Sequence, residues 1–129
     1  MNAKTIFLSA LLTLLPLSVT ANDELPSGAQ TTIDTYFSGM QQGDLAALGS
    51  VLDGQMKKRH DRASRNPNYA AALSASYAAT TFSVLQSKIE ASMLTVDYQA
   101  TNGDEVFRKQ IYLRDSVAGF KIIGESLIP

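Results

Sequence analysis

The hydrophobic pattern of the chain changes its period once, near Thr80, and this change restricts the folds open to it. Before Thr80, large apolar residues recur every three to four positions, which is the spacing of one helix face. After Thr80, apolar and polar residues alternate, as in a strand with one buried face. Because the helices precede the strands instead of alternating with them, we predict an α+β domain whose helices cover one face of an antiparallel sheet.

The first predicted helix spans about residues 29–42 and ends at a sharp corner. Its apolar face is formed by residues at the i, i+3, i+4, i+7 spacing: Ile33, Tyr36, Phe37 and Met40. Gly43 suits the left-handed conformation that closes a helix, and the Asp44 carboxylate can accept backbone N–H bonds at the start of the next helix. We therefore expect the chain to turn at Gly43-Asp44 into a short second helix, whose apolar residues are Leu45, Leu48 and Leu52.

A polar segment and a third helix follow this corner. Residues 55–66 contain only Met56 and Ala63 as apolar residues, so this segment cannot be a buried strand and is expected to be an exposed turn of helix or a loop. Tyr69, Leu73 and Tyr77 then recur at helical spacing among Ala and Ser. Because small side chains permit a close approach, we expect this helix to pack tightly on a flat surface.

The strands begin at about residue 81, and Asn102-Gly103 predicts a hairpin between two of them. Taking these two residues as the loop predicts the cross-strand pairs: Leu94 with Ile111, Val96 with Lys109, Asp97 with Arg108, and Tyr98 with Phe107. One sheet face is then apolar except for Lys109, and the other carries an ion pair between Asp97 and Arg108. A last strand is expected over residues 120–127.

This order of elements resembles the nuclear transport factor 2-like superfamily, a cone-shaped α+β fold that includes ketosteroid isomerase and the polyketide cyclases. The resemblance is carried by residues 36–48, by the strands around Asn102-Gly103 and by residues 119–123, and it extends over residues 29–127. It implies a single domain over residues 29–129, with N-terminal helices packed on a curved antiparallel sheet and a pocket at the wide end. The pattern is one of fold, and fold alone does not determine chemistry.

The side chains expected to line such a pocket are apolar or aromatic, with one cation: Tyr36, Phe37, Met40, Tyr98, Phe107 and Lys109. Lys109 is the most informative of them, because a lysine on an apolar face has to find a partner or reach water. It either contacts an anionic or carbonyl ligand, or lays its alkyl stem on Val96 while its ammonium group reaches solvent. The aromatic residues would line an open cone or fill a closed one.

The resemblance to the isomerase branch of the superfamily implies a catalytic alternative. In that branch a tyrosine eight residues before the Asp of the Gly-Asp corner helps to polarise a substrate carbonyl, and Tyr36 has this spacing from Asp44. By the same comparison the carboxylate base falls on His60, with Asp61 beside it. Since a base that removes a carbon-bound proton needs a sheltered position, this alternative requires residues 57–62 to fold inward as a strand. Tyr36 is otherwise a core aromatic residue.

Composition excludes several other chemistries. The chain has no Cys and one His, so disulfides, thiol nucleophiles and multi-histidine zinc sites are excluded, and we expect neither a metal nor a cofactor. The sequence contains no glycine-rich phosphate loop and no Gly-x-Ser-x-Gly motif. A basic patch is formed by Lys57, Lys58, Arg59, Arg62 and Arg65. Because the formal net charge is -1 and no aromatic residue interleaves these cations, we interpret the patch as a solvated face and expect no nucleic-acid partner.

The N-terminal residues predict export. Lys4 precedes an apolar run over residues 6–15, and small residues before Asn22 suit cleavage after Ala21, so residues 1–21 are predicted to be a cleaved signal peptide and residues 22–28 a lead-in. The apolar run is shorter than the about 20 residues that a membrane span needs, and Pro16 follows it, so no stable membrane anchor is expected. The mature protein is predicted to be periplasmic or secreted.

These observations predict a small exported, non-catalytic domain that binds an apolar or amphipathic ligand or a partner protein. Two alternatives remain open: a proton-transfer isomerase or dehydratase, and an accessory domain that docks its sheet on a larger exported protein. The outer sheet face presents Met93, Val106 and Tyr112 among polar residues. Because relatives in the superfamily that the chain resembles often pair through this face, we expect a homodimer.

Overall fold

The computed structural model describes residues 25–129, which form four helices followed by four strands. The helices are α1 (Ser27–Gln42), α2 (Leu45–Val51), α3 (Gly54–Ala63) and α4 (Tyr69–Tyr77). The strands are β1 (Thr81–Glu90), β2 (Met93–Asn102), β3 (Glu105–Ser116) and β4 (Gly119–Leu127). The predicted order of helices and strands is therefore confirmed, whereas the predicted signal peptide lies outside the described residues.

The corner between α1 and α2 forms as predicted. Gly43 has a φ of 65°, in the left-handed region, and an Asp44 carboxylate oxygen accepts a hydrogen bond from the backbone N–H of Ala47 at 3.1 Å. A Cβ atom at Gly43 would lie 2.3 Å from the carbonyl oxygen of Ala70, so glycine is also required for the close approach of α4. The prediction that α4 packs on a flat surface is wrong, because its main neighbour is α1.

The polar segment after α2 is helical and exposed on most of its surface. The Asp53 carboxylate accepts a hydrogen bond from the backbone N–H of Gly54 at the start of α3. Met56 and His60, four residues apart, are buried on the inner side of this helix. Because residues 57–62 are helical, the inward strand required by the isomerase alternative does not form.

The four strands form an antiparallel sheet in the order β1-β2-β3-β4, and the helices pack on one face of it. Leu52, just after α2, pairs with Ile122, which brings the α2 end of the helical layer against β4. The inner face of β2, β3 and β4 carries aliphatic residues that are at most 2% exposed: Leu94, Val96, Ile111, Leu113 and Ile122. These residues pack with Ile33 and Leu48 of the helices to form the core.

The hairpin between β2 and β3 forms with a register that differs from the prediction. Its two loop residues are Gly103 and Asp104, because Asn102 pairs with Glu105. Gly103 has a φ of 60°, whereas Asp104 is not in the left-handed region, which is the pattern of a type II′ turn with glycine first. The displacement by two positions leaves each side chain on its predicted face but changes its partner. Lys109 therefore lies opposite Tyr98 instead of Val96.

The predicted ion pair between Asp97 and Arg108 is wrong for the same reason. In the observed register Asp97 lies opposite Gln110, and Arg108 lies opposite Gln99. The Asp97 carboxylate accepts hydrogen bonds from the side-chain amides of Gln86 at 2.6 Å and Gln110 at 2.7 Å. On the outer sheet face, the neutral side-chain amides of Gln86 on β1 and Gln110 on β3 are therefore both bound to the Asp97 carboxylate on β2.

Candidate functional site

A pocket of about 310 Å³ opens at one end of the inner sheet face. Its lining is apolar or aromatic except for one cation: Tyr77, Phe82, Tyr98, Ala100, Phe107, Lys109 and Leu127. Tyr98, Phe107 and Lys109 belong to the set predicted to line a pocket. Phe82 and Leu127 were not predicted, although each occupies an inner-face position of an edge strand, opposite Ala100 and Lys109 respectively.

The α1 residues of the predicted pocket lie behind this lining. Tyr36 and Met40 are buried in the core. The ring of Phe37 stacks on that of Phe82, with centroids 4.5 Å apart and planes 5° from parallel, and it lies 4.9 Å from the ring of Tyr98. These three α1 side chains therefore fill the helix side of the cone, while its open part is lined by strand residues and by Tyr77 at the end of α4.

The carboxylate of Glu125 on β4 contacts three other polar side chains next to the pocket. Its Oε2 atom accepts hydrogen bonds from the hydroxyl of Tyr98 at 2.7 Å and from that of Tyr36 at 2.9 Å. Its Oε1 atom lies 3.7 Å from Nζ of Lys109. We call Tyr36, Tyr98, Lys109 and Glu125 the polar cluster; the side chains of Lys109 and Glu125 are 25% and 19% exposed.

Glu125 faces inward because β4 contains a bulge. Leu113 pairs with Ile122, whereas the preceding residue, Tyr112, pairs with Gly124, so Ile123 is an extra residue on β4. Strict alternation from the inward side chain of Ile122 would place Glu125 on the outer face; the extra residue turns it inward. Sequence reasoning missed Glu125 for this reason. The signal that could have revealed the bulge is Gly124, because an isolated glycine within a strand often marks a bulge.

The two phenols of the polar cluster are neutral hydrogen-bond donors. Burial raises the pKa of Tyr36 well above its usual value, and the nearby Glu125 carboxylate raises it further. Burial is also the main cause of the raised pKa of Tyr98, to which Tyr36 and Glu125 add. Both hydroxyls consequently keep their protons near neutral pH and hold one oxygen of the Glu125 carboxylate in place.

The three residues of the catalytic alternative do not share a cavity. The Tyr36 hydroxyl is engaged by Glu125, and His60 Nε2 lies 3.0 Å from the carbonyl oxygen of Leu45. Asp61 is on the exposed side of α3, where its carboxylate pairs with Lys57 at 2.9 Å. A second cavity of about 300 Å³ lies beside α3 and is lined by Met56, Arg59, His60, Ala63, Tyr69 and Glu125.

The predicted basic patch lies on α3 and the turn that follows it. Lys58, Arg59, Arg62 and Arg65 are exposed, and Lys57, which pairs with Asp61, is partly exposed, which agrees with a solvated face. In residues 25–129, no three side chains of the metal-binding types form a group that could hold a metal ion. None of the helices in that range is both long and apolar enough to cross a membrane.

The sequence matches no protein-family model and no curated protein. Among solved structures, the chain is similar to an NTF-2-like protein of unknown function from Silicibacter pomeroyi, with a TM-score of 0.55, 10% identity, and coverage of 78% of this chain and 93% of that one. It is also similar to a protein of unknown function with a cystatin-like fold from Methylobium petroleophilum, with a TM-score of 0.50, 14% identity, and coverage of 79% and 76%.

A third similar structure, from Bdellovibrio bacteriovorus, has a TM-score of 0.53 and 16% identity, and the match covers 78% of this chain but only 39% of that one. At these identities the likeness concerns the fold and not the chemistry. The helices before the sheet, the curved antiparallel sheet and these structural matches agree with one another. The chain therefore has the nuclear transport factor 2-like α+β fold.

Proposed function

We propose that this protein binds a small amphipathic molecule without transforming it, with the apolar body in the pocket of the inner sheet face and a polar head group at Lys109. The observation that carries the proposal is the pocket itself, whose volume of about 310 Å³ is lined by apolar and aromatic side chains around one cation. Ligand sites have this character: mostly apolar walls with a few polar groups that orient the ligand.

The rim of the pocket also supports ligand binding. Phe107 is 47% exposed and Leu127 is 66% exposed, and both contribute to the lining. Covering such apolar surface releases about 25 cal/mol for each Å² removed from water. The pocket volume is at the lower end of the about 300–1,000 Å³ typical of ligand pockets, so the proposal concerns a molecule with a short apolar body.

The test measures calorimetric binding of octanol and octanoate, which share one apolar body, to a pocket-filling variant and a matched control. Ala100→Leu adds bulk to a lining residue, whereas Thr101→Leu adds similar bulk next to it on the outer sheet face. We expect the wild type and Thr101→Leu to bind at least one probe and Ala100→Leu to lose binding, with circular dichroism verifying that both variants fold. Absence of binding to the wild type, or unchanged binding by Ala100→Leu, would contradict the proposal.

Export and pairing form part of the same proposal. The N-terminal sequence supports export to a periplasm or to the medium. The intact mass of the exported protein is expected to match a chain that begins at Asn22. The outer sheet face, on which Val106 is 53% exposed, supports a homodimer. Sedimentation of a monomer at tens of micromolar protein would contradict the dimer, and an unprocessed mass would contradict cleavage after Ala21.

A further inference from the structure

We infer that the cavity beside α3 is a second ligand site, which binds a small zwitterion: a free α-amino acid with an apolar side chain. We call this cavity of about 300 Å³ the α3 cavity. It is separate from the pocket of the inner sheet face, because none of residues 25–129 lines both. The inference therefore goes beyond the proposed function and does not depend on it.

Three elements build the α3 cavity. Tyr69, the first residue of α4, and Glu125 on β4 form two sides of it. One face of α3 contributes the rest of the lining, at the i, i+3, i+4, i+7 spacing of a helix face: Met56, Arg59, His60 and Ala63. The fold thus brings a guanidinium group from a helix and a carboxylate from a strand to one cavity.

The Arg59 guanidinium group is positioned at the cavity without an acidic partner. Its Nη2 atom lies 3.1 Å from Sδ of Met56, a buried residue of the same lining, and a thioether is only a weak acceptor. No ion pair joins Arg59 to a carboxylate within residues 25–129. Its planar fork of N–H donors is therefore available to the carboxylate of a ligand, which it can bind through two parallel hydrogen bonds.

The Glu125 carboxylate is held in place and retains acceptor capacity. A carboxylate has about four acceptor positions, and the phenols of Tyr36 and Tyr98 occupy two of them. Nζ of Lys109 lies 3.7 Å from Oε1, beyond the about 3.2 Å of an ordinary N–H···O hydrogen bond. Glu125 can therefore accept hydrogen bonds from the ammonium group of a ligand in the α3 cavity.

A zwitterion matches this site because it completes an alternation of charge. Lys109 and Glu125 are positive and negative, and Arg59 is positive, yet no ion pair joins Arg59 to Glu125 in the described part of the chain. A ligand ammonium group beside Glu125 and a ligand carboxylate beside Arg59 supply the two missing charges in the correct order. An anion alone would be repelled by Glu125, and a cation alone would be repelled by Arg59.

The remaining walls favour an apolar side chain on the ligand. Met56, Ala63 and the ring of Tyr69 offer apolar surface, and His60 Nε2 is engaged by the carbonyl oxygen of Leu45 at 3.0 Å. The volume of about 300 Å³ is at the lower end of the about 300–1,000 Å³ typical of ligand pockets. The ligand is thus a free amino acid of the size of leucine.

The first experiment compares leucine with two probes that each lack one of its charges: isocaproate, without the ammonium group, and isoamylamine, without the carboxylate. Calorimetric titration of the full protein should show leucine binding with a Kd of about 1 mM or below, and each of the other probes at least about tenfold weaker binding. Absence of leucine binding, or an equal affinity for either singly charged probe, would overturn the inference.

Charge-removing variants test the two residues that carry the inference. Arg59→Met should weaken leucine binding at least about tenfold, whereas Arg62→Met, which removes the same charge from the same helix outside the cavity, should leave it unchanged. Glu125→Gln should abolish the preference for leucine over isocaproate. If Glu125→Gln fails to fold, the arginine variants still decide: equal leucine affinities for both would overturn the assignment of Arg59.

A cavity-filling variant tests where leucine binds. Ala63→Leu adds bulk to the wall of the α3 cavity and should abolish leucine binding, with circular dichroism verifying that the variant folds. Leucine binding that survives Ala63→Leu but is lost in Ala100→Leu would place leucine in the pocket of the inner sheet face and overturn the inference. The two proposals fail separately, because octanol and octanoate test that pocket and leucine tests the α3 cavity.

Discussion

The two halves of the inner sheet face are built from the same strands but differ in chemistry. In one half, which we call the aliphatic half, Leu94, Val96, Ile111, Leu113 and Ile122 are 0–2% exposed and pack against the helices. The other half, which we call the polar half, contains Tyr98, Phe107, Lys109, Glu125 and Leu127. Phe107 is about half exposed and Leu127 is largely exposed. The helices cover the first half fully, and the pocket opens at the second.

The aliphatic half stabilises the fold, whereas the polar half forms the surface that is open to a ligand. The aliphatic half follows the strand alternation and removes apolar surface from water, which is the dominant favourable contribution to folding. The polar half departs from the alternation at Ile123 and partly buries a carboxylate with its donors. Departures from a regular pattern that need compensating hydrogen bonds tend to occur at functional sites.

The largest expected effect is on stability, and it is tested by comparing one substitution in each half. Ile111→Ala removes a fully buried side chain and should lower the free energy of unfolding by about 2–5 kcal/mol, because it leaves a cavity. Phe107→Ala, at a side chain 47% exposed, should cost less than about 1.5 kcal/mol while weakening octanol binding. Urea denaturation measures both, and equal losses of stability would contradict the division into two halves.

The second prediction concerns stability at alkaline pH and arises from Tyr98 of the polar half and from Tyr36, the α1 phenol that shares its Glu125 acceptor. Below about pH 10 the phenols of Tyr36 and Tyr98 are neutral in both folded and unfolded chains, so their contribution to stability does not vary with pH. Above it the unfolded phenols ionise, whereas the raised pKa of each folded phenol prevents this. Unfolding is then favoured by about 1.4 kcal/mol per phenol for each pH unit.

Urea denaturation at pH values from 8 to about 11 checks this alkaline loss of stability. Near-ultraviolet absorbance of tyrosinate provides a second readout, because Tyr36 and Tyr98 should ionise only as the protein unfolds. The variant with both Tyr36→Phe and Tyr98→Phe is the control, and its stability should fall less steeply with pH. An identical alkaline slope for the wild type and this variant would show that the phenols are not buried as described.

The aliphatic half and the helices could be predicted from sequence because their signals are local. The spacing of Ile33, Tyr36 and Met40 predicts a helix face, and Gly43 with Asp44 predicts the corner that the structure confirms. The alternation from Leu94 to Tyr98 predicts the inner face correctly even though the predicted register is displaced. A displacement by an even number of residues keeps every side chain on its face.

The same alternation predicts Tyr98, Phe107 and Lys109 as pocket residues. The cross-strand partners in the polar half and the inward position of Glu125 could not be predicted, because they depend on non-local geometry. Asn102-Gly103 is compatible with more than one two-residue turn, and the choice determines whether Val96 or Tyr98 lies opposite Lys109. The bulge at Ile123 turns Glu125 inward, and only its contacts with Tyr36 and Tyr98 reveal its role. His60 was likewise expected in a solvated segment, and the helical phase of α3 buries it beside Met56.

The third prediction separates the two hydrogen bonds to Glu125. Tyr36→Phe and Tyr98→Phe each remove a donor to one carboxylate oxygen, and each should lower the free energy of unfolding by about 1–2 kcal/mol. The double variant leaves the carboxylate without its phenols, so its cost should exceed the sum of the two single costs. Strictly additive costs from urea denaturation would mean that the two phenols do not share Glu125.

The smallest expected effect on stability belongs to Lys109. Its ammonium group lies 3.7 Å from Glu125 and both side chains are partly exposed, so Lys109→Met should change the free energy of unfolding by less than about 1 kcal/mol. The alkyl stem of Met keeps most of the apolar contact. Because the same change should weaken octanol binding severalfold, stability and binding separate at this residue as they do between the two halves. A loss of stability comparable to that of Ile111→Ala, measured by urea denaturation, would instead assign Lys109 to the structural core.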